Sequence, residues 1–139
     1  MIRLLALLAA AASAAGLRPF DAGRFEALKA EGRTVILQFS SQSCAACPQQ
    51  EQALRRLSEE PGELTPVFFQ FPFSPVDEFC QRNRVGAPST LLMFRGKRLI
   101  GRSAGLYAEE DIRAFIQDSR LRSRGKPPER PKRSIRPKR

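Results

Sequence analysis

The chain has 139 residues, room for a single domain with one core, and 42% of them are hydrophobic. It contains no histidine, which excludes a Ser-His-Asp triad and a Cys-His nucleophile pair within the chain, and its three cysteines are too few for a closed structural zinc site. The net charge of +10 is uneven: residues 119–139 hold ten Lys and Arg against one Glu, which leaves +1 for everything before them, so the basicity belongs to a tail.

Residues 1–15 carry the pattern of a signal peptide. Arg3 is followed by an unbroken apolar run from Leu4 to Ala12, and small residues up to Ala14 and Ala15 offer a cleavage site. That run is shorter than the ~20 apolar residues that span a bilayer, and an exported, periplasmic or extracytoplasmic bacterial protein is the expectation. From Phe20 to Gly32, Phe25 and Leu28 form the apolar stripe of a short helix, with Gly32 suited to end it. Thr34–Phe39 is apolar and β-branched, as a strand covered on both faces should be. Ser40–Ser43 is a polar turn, and the spacing predicts a helix opened by Cys44, with Leu54 and Leu57 on one face.

Pro61-Gly62 breaks the chain, and Val67–Phe71 reads as a second strand. Val76–Arg82 reads as a short helix bearing Phe79 and Cys80. Gly86-Ala87-Pro88 leads into a strand over Ser89–Phe94, Arg95-Gly96-Lys97 is a tight turn, and Arg98–Arg102 is the returning strand. Glu109–Leu121 is the last helix, and its acidic first turn, Glu109-Glu110-Asp111, complements the helix dipole. The order is α-β-α-β-α-β-β-α. Residues 120–139, with four prolines and ten basic residues, cannot bury enough apolar surface to fold alone and form a basic, disordered tail.

The chemistry resides in Cys44-Ala45-Ala46-Cys47, which follows a buried strand and meets a helix start. Unpaired N–H groups and the dipole at a helix N-terminus favour an anion, so Cys44 is the cysteine expected as thiolate and nucleophile. Two intervening residues let Cys47 reach it and resolve a mixed disulfide. Two other uses of such a pair remain open at this level: a static structural disulfide, and half of a metal site shared with another chain. Cys80 reads as a small buried hydrophobe.

The stretch from Thr34 to Cys47, with Val85–Phe94, Arg95-Gly96-Lys97 and Gly101–Gly105, resembles the thioredoxin superfamily. Among its branches it is similar to exported thioredoxin-like domains such as the C-terminal domain of the disulfide reductase DsbD. The resemblance covers about residues 20–119. It implies a thioredoxin-like three-layer α/β sandwich, with a mixed sheet of about four strands flanked by helices and occupying residues 16–119. It further implies Cys44 as nucleophile, Cys47 as resolving cysteine, Pro88 as a cis-proline facing them, and Ala87 as a contact for substrate backbone, with no cofactor beyond the redox-active disulfide. The chain departs from the family in four ways. Ser43 stands where Trp is common, and Gln38 stands where many members bury an acid. Pro48 is expected to disturb the first turns of the helix, and no counterpart of the first strand is evident.

Three functions fit these residues. The first is thiol–disulfide exchange on exported proteins, with protein thiols and disulfides and a redox partner protein as partners. The second is a redox-inactive thioredoxin-like module that binds a partner and uses Cys44–Cys47 as a clip. The third is a polyanion binder acting through its tail, for which an anionic membrane or envelope is the expected attraction and specific nucleic acid is not.

Overall fold

The computed structural model describes residues 16–125; the expected signal and the basic stretch beyond Gly125 lie outside them. The elements are β1 (Leu17–Pro19), α1 (Ala22–Ala30), β2 (Thr34–Ser40), α2 (Cys47–Ser58), β3 (Val67–Pro72), α3 (Glu78–Arg82), β4 (Thr90–Arg95), β5 (Arg98–Ala104) and α4 (Glu109–Ser123). They build one five-stranded sheet in the order β1-β3-β2-β4-β5. β1, β3 and β2 run parallel, and β4 and β5 are antiparallel.

β2 is central, and its side chains alternate between two cores as the pleat requires. Val35, Leu37 and Phe39 face one core, with Phe25 and Leu28 of α1 and Cys80 of α3. Ile36 faces the other, with Leu54 and Leu57 of α2 and Ile112, Phe115 and Ile116 of α4. The result is the expected three layers. The first core is largely phenylalanine: the ring centroids of Phe71 and Phe79 lie 4.9 Å apart, and those of Phe20 and Phe71 5.0 Å, distances at which aromatic pairs attract beyond their area burial.

Local chemistry sets the ends of the elements. The Asp21 carboxylate accepts from the Arg24 amide at 2.7 Å and caps α1. Asp77 does the same for α3 by accepting from the Cys80 amide at 3.0 Å, so this helix starts two residues later than its sequence pattern suggests. Gly96, with φ 57°, makes the β4–β5 turn, a conformation that favours glycine. Among the described residues no helix is long and apolar enough to cross a membrane.

Two expectations are corrected. The sheet has five strands rather than about four, because a first strand does exist: Leu17, Arg18 and Pro19 pair with Phe68, Phe69 and Gln70. Three residues are too few to show an alternation, and Pro19 reads as a strand breaker although an edge tolerates it. The last helix runs on through Ser123, two residues past the end expected at Leu121. Arg120 of that helix donates to the Leu64 carbonyl, which ties it to the loop before β3.

Gly101 is the contact that seats α4 on the sheet. A Cβ there would lie 2.9 Å from Ser119 Cβ and 3.1 Å from the Phe115 ring. Gly101→Ala should therefore destabilise the fold by about 1–3 kcal/mol, the usual cost of overpacking. Thermal unfolding should register this as a Tm lower by several degrees, and an unchanged Tm would mean that α4 is not packed this closely.

Candidate active site

β2 leaves the sheet at Ser40, and the chain turns through residues 41–46 before α2 begins at Cys47. Backbone bonds hold this turn: the Cys44 amide donates to the Ser41 carbonyl at 3.2 Å, and the Cys47 amide to the Cys44 carbonyl at 3.3 Å. The Ser41 and Ser43 hydroxyls lie 3.0 Å apart and brace it further. Cys44 therefore does not open the helix, as its sequence position suggests, but sits just in front of it. Pro48 falls within the first helical turn, where its missing N–H would be unpaired in any case, so it starts α2 rather than bending it. The N-cap residue Ala46 offers no side-chain acceptor, so no side chain caps the positive end of the helix, which begins three residues after Cys44.

Cys44 and Cys47 form a disulfide with their Cα atoms 5.4 Å apart. Cys44 is half-buried, while Cys47 is only 4% exposed. An incoming disulfide can thus reach the first sulfur and not the second. Ala45 is exposed and Ala46 half-buried in the turn between them.

Ala87 is exposed and Pro88 half-buried. Phe39 pairs with Thr90, so these residues leave the sheet at the end from which Ser41–Cys44 departs. They do not line the cleft of about 240 Å³ that holds both cysteines, whose walls include Ser41, Pro48, Glu51 and Gln70. No cis peptide bond occurs among the described residues, so Pro88 is trans and the cis-proline expectation is corrected. The chain reverses instead at Ser89, with φ 61°, while Thr90 Oγ1 closes the turn on the Ala87 carbonyl at 2.8 Å.

Beneath the cysteines lies a chain of side-chain amides that the sequence reading missed. Gln38 and Gln50 are fully buried. Gln50 Nε2 donates to the carbonyls of Ser89 at 2.9 Å and Leu106 at 2.6 Å, tying together the loops on either side of β4 and β5. Gln38 Nε2 donates to Gln50 Oε1 at 3.1 Å, and Gln70 Nε2 donates to Gln38 Oε1 at 3.0 Å. Gln70 Nε2 also donates to Glu51 Oε2 at 3.2 Å. The available signal was the spacing of Gln50 and Glu51, one helical turn beyond Cys47; the register that sets Gln38 opposite Gln70 emerges only in the sheet.

Cys80 lies in the phenylalanine-rich core on the opposite face of the sheet from α2, so it cannot join the pair. Burial, the largest influence on it, pushes its thiol above the ordinary cysteine pKa. In the folded, reduced protein Cys80 should react with iodoacetamide at least about tenfold more slowly than Cys44. Peptide mapping that found the two labelled at equal rates near neutral pH would contradict its burial.

The fold and site can be set against known proteins. No family model matches the sequence, and no curated protein matches it. Solved structures do. Trxlp from Edwardsiella tarda superposes with a TM-score of 0.65 at 25% identity, over 72% of this chain and 97% of that one. The thioredoxin of Malassezia sympodialis gives 0.62 at 16% identity, over 73% and 91%. The thioredoxin of Schistosoma mansoni gives 0.61 at 15%, over 76% and 95%. The chain has the thioredoxin-superfamily fold, and that fold with a Cys44–Cys47 pair supports thiol–disulfide oxidoreductase chemistry.

Proposed function

We propose that this thioredoxin-fold chain is an exported thiol–disulfide oxidoreductase, with Cys44 the attacking and Cys47 the resolving cysteine. The observation that carries the reading is the asymmetry of the pair: one sulfur is accessible in front of an uncapped helix start, and the other is buried within its first turn. In the reducing direction, the Cys44 thiolate attacks a substrate disulfide, one substrate thiolate leaves, and a Cys44–substrate disulfide forms. Cys47 then attacks Cys44 Sγ, the second substrate thiolate departs, and the Cys44–Cys47 disulfide remains. The reverse sequence oxidises a substrate dithiol. Export rests on the sequence of residues 1–15 and brings exported proteins within reach as substrates, as for the DsbD-like domains that the sequence resembles.

A Cys47→Ser variant should accumulate mixed disulfides with substrate proteins, visible on non-reducing gels, whereas Cys44→Ser should trap none. If Cys47→Ser traps nothing and the wild-type disulfide resists dithiothreitol in the folded protein, the pair is a structural clip in a partner-binding module.

A weaker attraction to anionic membrane or envelope surfaces belongs to the same reading. Arg33, Arg95, Arg120 and Arg124 line one cleft with Glu63 as its acid. Burial, then the neighbouring Arg124 and Arg95, hold the Arg120 pKa below its usual value. The basic sequence from 126 to 139 leaves from this end of α4, and each Lys or Arg near an anionic surface gains ~1 kcal/mol. Removing residues 126–139 should weaken binding to phosphatidylglycerol vesicles severalfold at low salt, with the difference fading as salt rises. Equal binding at low salt would remove the tail from the account.

A further inference from the structure

The resolving step needs a base, because Cys47 is buried and must lose its proton before it can attack. Gln38 has no proton-accepting group to offer, and its amide is already bonded at both ends, to Gln50 and Gln70. The cleft nevertheless contains one carboxylate. Glu51 lies one helical turn beyond Cys47 on α2, and it lines the cleft with both cysteines.

Its position is set from two sides. Oε1 accepts from Arg55 Nη2 at 2.7 Å, and Oε2 accepts from Gln70 Nε2 at 3.2 Å. Gln70 is in turn held by Gln38, and Gln38 by Gln50, so the buried amides end on this carboxylate. Its side chain is 33% exposed, which lets it exchange protons with solvent. Among the described residues, the ionisable groups that share its cleft or bond to it are the two cysteines and Arg55. β3 presents the neutral Gln70, and the edge strand β1 presents Pro19 beside it. α4 meets α2 further along, through Arg56–Glu109 and Glu60–Arg113.

We propose that Glu51 is the proton acceptor for Cys47 in the resolving step, held in place by Gln70 and the amide chain behind it. The proposal rests on the redox reading of the pair. In the step, a Glu51 carboxylate oxygen takes the proton from Cys47 Sγ, directly or through one water. The Cys47 thiolate attacks Cys44 Sγ, and the Cys44–Cys47 bond forms as the Cys44–substrate S–S bond breaks. The bonding pair leaves with the substrate thiolate, which is protonated by Glu51 or by solvent. Glu51 also sets a negative charge near Cys44, against the pull of the helix terminus, so it favours the second step and not the first.

The reduced full-length protein mixed with Ellman's reagent, followed by stopped flow, separates the two steps. The first thionitrobenzoate released reports attack by Cys44, and the second reports resolution by Cys47. In the wild type the second phase should be nearly independent of pH through the neutral range. Glu51→Gln should slow it by on the order of a hundredfold near neutrality, the low end of general-base effects, and make it rise about tenfold per pH unit. Glu51→Asp should fall between the two, and the first phase should be unchanged or faster in Glu51→Gln. A second phase with wild-type rate and pH profile in Glu51→Gln overturns the proposal. So does an equal loss of both phases with a lowered Tm, which would make Glu51 structural. A wild type with no fast first phase overturns the redox reading itself, and this inference with it.

Discussion

β2 is hydrogen-bonded along both edges, to β3 on one side and β4 on the other, and it is covered on both faces by helices. The remaining elements follow from that double burial. A strand enclosed in this way can vary its register only by turning Val35, Leu37 and Phe39 out of one core and Ile36 out of the other. Each such side chain contributes about 1.5–3 kcal/mol by burial, so the C-terminal end of β2 is held at one place. The turn that carries Cys44 starts from that fixed end, and α2 must start where the turn delivers it. Cys44 is thus positioned by a core in which it takes no part.

The same enclosure makes position 38 consequential. Its side chain points into the layer beneath α2 with no access to water, where an unpaired amide would cost about 1–3 kcal/mol. The protein meets that cost with partners on four other elements or loops: Gln50 on α2, Gln70 on β3, and, through Gln50, the carbonyls of Ser89 before β4 and Leu106 after β5. A neutral amide can be satisfied there without holding a charge in a low-dielectric layer. In our proposal the acid–base function lies further out, on the Glu51 carboxylate at the cleft wall, which solvent reaches.

Much of this was legible in the sequence because the strongest signals are local. Thr34–Phe39 is β-branched and apolar but for Gln38, the pattern of an enclosed strand, and the CxxC pair follows it where α2 begins. Together with Val85–Phe94 and the hairpin after it, those segments carried the resemblance from which the fold class was expected. What escaped depends on pairings between distant segments. The strand Leu17–Pro19 exists only because β3 offers it an edge. The turn at Ala87-Pro88 reaches its shape with a trans bond because Ser89 takes the reversal. The link from Gln38 to Glu51 passes through Gln70, far along the chain, and no periodicity announces it. The end of α4 was missed by two residues for a simpler reason: Arg122 and Ser123 read as part of a basic tail, whereas basic residues in a last helical turn complement the dipole.

The central claim is that Cys44–Cys47 is a working redox pair and not a clip, and its reduction potential tests this most directly. The folded protein would be equilibrated with dithiothreitol or glutathione buffers of graded ratio, and the fraction of reduced pair read by thiol trapping and mass. A thiolate stabilised at a helix start favours the reduced form, so the account predicts a potential above about −300 mV, within the span of catalytic pairs. A potential well below that value, with the folded protein resisting reduction, would contradict it.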